Sequence, residues 1–170
     1  MKALTMPRWR GSSDVALLAV RVGAGVLMAF HGWSKIDGGI AGPEGFEGFV
    51  TFLGLPLPGL LAYVVPFLEL IGGIMILLGV LTRLPALLLA VEMVFTAFLV
   101  KLTKLDGVGY TTFSPDGPAP AEVDILFLVA FIAITLMGPG RYALDYVMGI
   151  ERGEAEAPAV ARARGARKVA

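Results

Sequence analysis

A glutamate stands in the middle of an apolar run long enough to cross a bilayer, and that combination restricts the chain more than any other feature. The run extends from Leu60 to Leu81, and its centre reads PFLELIGGIMILLG from Pro66 to Gly79, with Glu69 inside it. About 20 apolar residues suffice to cross the hydrocarbon core. Glu69 lies ~14 Å from the start of the run at 1.5 Å per residue. A carboxylate at a helix centre costs a few kcal/mol, about 3 for its shorter homologue Asp. Such a residue marks a functional site, and its partner must be named. Arg21, His31 and Glu92, each in or at the edge of another apolar run, are the candidates.

The composition places the whole chain in the same class. Hydrophobic residues make up 56% and charged residues 16% of the 170 positions, against about 25% charged in ordinary globular domains. A mean hydropathy of +0.78 agrees. The fold class expected is an all-α membrane protein. Net charge is zero, so no nucleic-acid partner is expected. Cysteine is absent. That excludes disulfide chemistry, iron–sulfur clusters, thiolate metal sites and the thiol-oxidising four-helix membrane enzymes.

Four membrane spans are predicted, at about 15–34, 60–81, 84–100 and 122–138. The first is a retained helix rather than a signal peptide, being of span length and followed directly by HGWSK with no small-residue cleavage pattern. Between the first two spans, Phe46, Phe49, Phe52 and Leu53 recur at helical spacing after Pro43. This predicts a short amphipathic helix in the first external loop, read as an interfacial anchor or a cover over the bundle. Pro85 suits the first turn of the third span, and Glu122 and Asp124 open the fourth, where negative charge complements the helix dipole. The domain plan is therefore a segment 1–13, a four-helix transmembrane domain 14–146 and a disordered tail 147–170.

Orientation follows from Lys and Arg in the short flanks. Lys2, Arg8, Arg10, Arg83, Arg141, Arg152 and the tail basic residues fall on one side, and only Lys35, Lys101 and Lys104 on the other. Both termini are expected to be cytoplasmic, in a bacterial inner membrane.

By helical rise Arg21 and Glu92 lie ~10 and ~12 Å in from the cytoplasmic side and Glu69 ~18 Å, so the three are expected to converge at mid-depth. Two readings stay open: a structural ion pair that fixes helix register, or a proton-handling site in which two carboxylates share one guanidinium. A second polar group is expected near the outer face, from His31, Lys35, Glu122 and Asp124. Lys35 follows His31 by four residues and shares its helical face. A metal site from His31, Glu122 and Asp124 has no ligand spacing in its favour, and none is assigned. The single histidine also excludes bis-histidine haem ligation within one chain. Ala19/Gly23 and Gly25/Ala29 on the first span, with Gly72, Gly73 and Gly79 on the second, are small residues that let helices approach closely.

In order along the chain stand Arg21-Val-Gly, His31-Gly-Trp-Ser-Lys35, Pro66-Phe-Leu-Glu69 with Gly72-Gly73, Leu81-Thr-Arg83, Glu122, and Gly138-Pro-Gly-Arg141 leading to Leu144-Asp145. This set resembles the DoxX family of small bacterial membrane proteins over residues 14 to 146. The resemblance implies a four-helix bundle, in a family whose name comes from a subunit linked to quinone-dependent sulfur oxidation. It implies a non-catalytic or quinone-interacting subunit or anchor of a membrane oxidoreductase assembly. The alternatives are a small proton-coupled transporter using Glu69, acting as a homo-oligomer, or a purely structural scaffold. No covalent cofactor is expected, and quinone is the one cofactor considered. Catalysis by this chain alone is not expected.

Overall fold

The computed structural model describes residues 12–102 and 121–150. The expected N-terminal segment up to residue 11, most of the second loop (103–120) and the expected disordered tail from 151 lie outside the described residues. Within them every regular element is helical. α1 runs Ser12–Asp37, α2 Phe46–Phe52, α3 Pro58–Leu78 and α4 Arg83–Val94; a π-helical segment, Phe95–Lys101, continues α4 directly, and α5 (Ala121–Met137) and α6 (Leu144–Val147) follow. Three of these are long and apolar enough to cross a membrane: α1, α3, and α4 with its π-helical continuation.

α1 packs on α3, α3 on α4, α4 on α5, and α5 closes back on α1. All four contribute to one core, with Ala24 and Met28 from α1, Ile76 from α3, Leu89 and Met93 from α4, and Phe127, Phe131 and Ile134 from α5. The outward faces are apolar as well, Phe30, Phe67, Leu87, Leu126 and Leu136 among them. An element that is hydrophobic all round suits lipid on one side and protein on the other.

Since lipid tails are as apolar as leucine, close backbone packing must hold such helices together. The α1–α3 contact supplies it. A Cβ on Gly25 would come within 2.8 Å of the Gly73 carbonyl, one on Gly32 within 2.5 Å of the Pro66 carbonyl, and one on Gly73 within 2.6 Å of the Ala29 nitrogen. The two small-residue pairs of α1 therefore differ in use. Gly25/Ala29 seats α3, whereas Ala19/Gly23 faces outward and Gly23 has open space beside it.

α1 extends three residues beyond the expected span at each end, and two further departures concern α3 and α4. The second helix stops at Leu78, three residues early, because Gly79 takes a left-handed conformation (φ +75°). The Gly79 and Val80 N–H groups then donate back to Ile76 and Met75, the hydrogen-bond pattern that closes a helix. The stretch read as a uniform third helix changes to π winding after Val94, which apolar periodicity does not signal.

Candidate functional site

Five charged side chains gather where the C-terminal ends of α1 and the π segment meet the first turn of α5 and the middle of α3. The Lys35 ammonium donates to Glu69 Oε1, and Glu69 is 3% exposed. Lys101 Nζ lies 3.0 Å from Asp124 Oδ1 and 2.9 Å from Oδ2, with both residues buried. Glu92 of α4 faces the same cluster, its carboxyl acted on electrostatically first by Glu69 and then by Lys35 and Asp124. The inner oxygens Glu69 Oε2, Glu92 Oε2 and Asp124 Oδ2 are enclosed and receive no hydrogen bond. His31 stands at the rim, exposed, its ring edge-on to Phe127 with the ring centroids 5.9 Å apart.

The local structure explains how these groups meet. Side chains on a helix lean toward its N-terminus. Lys35, near the end of α1, therefore reaches back into the bundle and finds Glu69. Phe46 of α2 covers it, the ammonium lying 5.2 Å from the ring centroid. The loop that delivers α2 is tied by Gly42 N–H to Glu47 Oε2 at 2.9 Å. Lys101 depends on the π winding. Nine residues separate it from Glu92, which at 3.6 residues per turn is about two and a half turns and would set the two on opposite sides of the helix. The wider π turns advance less per residue and bring Lys101 round to Asp124. π segments within helices occur frequently at functional sites.

Arg21 is not part of this cluster, which corrects the expected convergence of Arg21 with Glu69 and Glu92. It too leans toward the start of α1, away from Glu69. Its Nε donates to the Ile76 carbonyl at 3.0 Å, Nη2 to Leu77 at 3.1 Å, and Nη1 to Pro139 at 2.6 Å and Tyr142 at 3.3 Å. Ile76 lies about 10 Å of helical rise from Glu69. The guanidinium thus occupies the C-terminal carbonyls of α3, which have no partner within their own helix. Beside it, fully buried Asp145 receives Leu81 N–H at 2.8 Å and both the N–H and hydroxyl of Thr82, at 2.9 and 2.8 Å. This second polar site joins the end of α3, the start of α4 and the segment after α5.

The outer-face group is also redistributed. Lys35 and Asp124 enter the buried cluster, while Glu122 is exposed on α5. Two residues apart on a helix, Glu122 and Asp124 point about 200° apart and cannot face one ligand together. Among the described residues no three His, Asp or Glu groups stand in a metal-ligating arrangement. Sequence reasoning missed Lys101 and Asp145 as site residues. Lys101 ends one span and Asp124 begins the next, so their shared level was a usable signal. Asp145 had only its place after Gly138-Pro139-Gly140-Arg141 to mark it.

Comparison with known proteins follows the same outline. The DoxX family model matches residues 16–102, a stretch that holds Arg21, His31, Lys35, Glu69, Glu92 and Lys101. The Bacillus subtilis protein named "Putative oxidoreductase CatD" is 33% identical over 135 residues, covering 79% of this chain and 87% of that protein. The Escherichia coli inner membrane protein YqjF is 30% identical over 135 residues, 79% of this chain and 93% of its own length. A Mycobacterium tuberculosis membrane protein, Rv3486, is 34% identical over 106 residues, 61% of this chain and 63% of its own. No solved structure matches. With half of its length matched by the family model and full-length relatives of the same kind, the chain belongs to the DoxX family and is a multi-pass protein of the inner membrane.

Proposed function

We propose that the protein is the membrane subunit of an oxidoreductase assembly and that its buried ionic cluster receives the headgroup of a membrane quinone. The observation that carries this reading is the cluster itself: ammonium donors and carboxyl groups packed at a depth that a lipid-soluble carrier reaches, with His31 exposed beside them. Quinone carbonyl oxygens accept hydrogen bonds from ammonium or imidazole N–H, and reduction to quinol consumes two electrons and two protons. The cluster can supply protons. The chain has no cysteine to carry electrons, and in this reading a partner subunit supplies them. An apolar groove of about 280 Å³ between α3 and α4, lined by Phe67, Ile71, Gly72, Met75, Pro85 and Leu88, suits the carrier's tail. The relative named as an oxidoreductase supports the same class of function.

In this reading α5 is a fourth span. Its 17 residues rise about 26 Å, near the ~30 Å of the hydrocarbon core. Both termini, Arg83 and Arg141 then lie at the cytoplasmic face, with Lys35 and Lys101 toward the outside. A reporter fused after Ala170 is expected to be active only in its cytoplasmic form, and activity confined to the outside would overturn the topology.

Purification from native membranes in mild detergent is expected to bring down an oxidoreductase subunit, a bound quinone, or both, as identified by mass spectrometry. Recovery of this chain alone, with no binding of added quinone, would refute the proposal. That outcome would favour a proton-coupled transporter, a reading supported by the surplus of carboxyl over ammonium groups in the cluster, and proton flux in proteoliposomes would then decide it.

A further inference from the structure

The cluster has an imbalance that assigns one of its acids a separate role. Among the described residues two ammonium groups, Lys35 from α1 and Lys101 from the π segment, face three carboxyl groups: Glu69 from α3, Glu92 from α4 and Asp124 from α5. His31 of α1 is at the rim, exposed, against Phe127 of α5. Glu69 has Lys35 in direct contact, and Asp124 has Lys101 as its ion-pair partner, hydrogen-bonded to Oδ1. Among the described residues Glu92 has no ammonium in ion-pair contact; its Oε2 is enclosed without a hydrogen-bond partner, and the Glu69 carboxyl is the group that acts on it most strongly. Two ionised carboxylates in contact repel, and neither can donate to the other. The enclosed Oε2 atoms of Glu69 and Glu92 both lack a donor, as does Asp124 Oδ2. One proton changes the contact into an O–H···O⁻ hydrogen bond, among the stronger kinds available inside a protein, and brings the five groups to zero net charge.

We infer that Glu92 is a proton-binding site, its carboxylic O–H donating to Glu69, and that this is the proton the cluster gives up or takes back. Deprotonation leaves a carboxylate at Glu92 and one uncompensated negative charge between two lysines. The proton itself passes to the acceptor that engages the site. Glu69, which the sequence marks by its mid-span position, is the fixed member of its ion pair with Lys35; Glu92 is the exchanging one. The inference deepens the proposed function by naming the acid that supplies its protons, and it rests on that reading only for the identity of the acceptor.

Infrared spectroscopy of the purified full-length protein tests it without any partner. A carboxylic-acid C=O band that shifts in D2O is expected at neutral pH, retained in Glu122→Gln and lost in Glu92→Gln. Glu92→Asp, which keeps an acid of the same charge, should show the band at a displaced frequency and guards against a Gln variant that fails to fold. Absence of the band in the unaltered protein at neutral pH would overturn the inference, as would its persistence in Glu92→Gln, which would put the proton on Glu69 or Asp124. The band's presence with no quinone in the preparation would leave Glu92 as the proton site and count only against the quinone reading.

Discussion

Arg21→Met is expected to lower the thermal midpoint of the detergent-solubilised protein more than any single change in the ionic cluster. Four backbone carbonyls lose the guanidinium at once: Leu77 at the end of α3 and Pro139 and Tyr142 after α5 are left without it, while Ile76 keeps the Gly79 N–H. Each buried polar group left without a partner costs about 1–3 kcal/mol. The Tyr142 carbonyl is less enclosed and can find water or a headgroup, so the total expected is about 3–5 kcal/mol. Methionine fills similar space, which separates the lost hydrogen bonds from lost packing. Arg21→Lys should recover only part, because one ammonium cannot reproduce a planar fork that reaches carbonyls on two segments. An unchanged midpoint in Arg21→Met would show that the guanidinium does not hold the α3 end. The site lies well away from Glu92, so the infrared band should survive in any folded Arg21 variant.

The second large effect concerns Lys35 and Glu69. Removing the ammonium in Lys35→Met leaves the Glu69 carboxyl enclosed at 3% exposure with no cation in contact. Breaking a fully buried pair costs about 3–5 kcal/mol. The Lys35 side chain is 25% exposed, which reduces the expectation to about 2–3 kcal/mol. The double variant Lys35→Met with Glu69→Gln removes both charges and should recover most of the midpoint, because much of the cost lies in the charge left behind. Midpoints of the four proteins in the cycle give the coupling directly. Additive losses would mean that the pair has no energetic coupling. A double variant that regains stability yet fails to bind quinone would separate the functional role of the pair from its structural one.

These two experiments address two separate sites, whereas the sequence expectation joined Arg21 with Glu69 and set Lys35 in the outer-face group. The error is instructive. Depth along each helix, counted from the apolar boundaries, placed Arg21, Glu69 and Glu92 within several ångströms of one level. Counting of this kind locates Cα atoms, whereas a long side chain on a helix leans a further turn toward the N-terminus. Arg21 was carried to the α3 terminus and Lys35 down to Glu69 by the same geometric rule. Lys101 shows a second limit. Nothing in Phe95–Lys101 distinguishes π from α winding, yet that winding decides which face the lysine takes.

The sequence alone determined the class of molecule, since apolar runs of span length leave helices as the available solution where no water can satisfy backbone groups. It also determined the approximate helix boundaries, the family, and the presence of ionisable groups that lipid would not tolerate without partners. Partner choice was decided only by the tertiary structure. Whether Glu69 meets Arg21 or Lys35, whether Glu92 has a cation of its own, and whether Asp145 belongs to a tail or ties α4 in place depend on helix rotation. That rotation is set by contacts between helices: glycine-lined backbones between α1 and α3, and a left-handed turn at Gly79 that ends α3 within reach of Arg21. Hydrophobicity cannot specify these rotations, because in a membrane both the inner and the outer face of a helix are apolar.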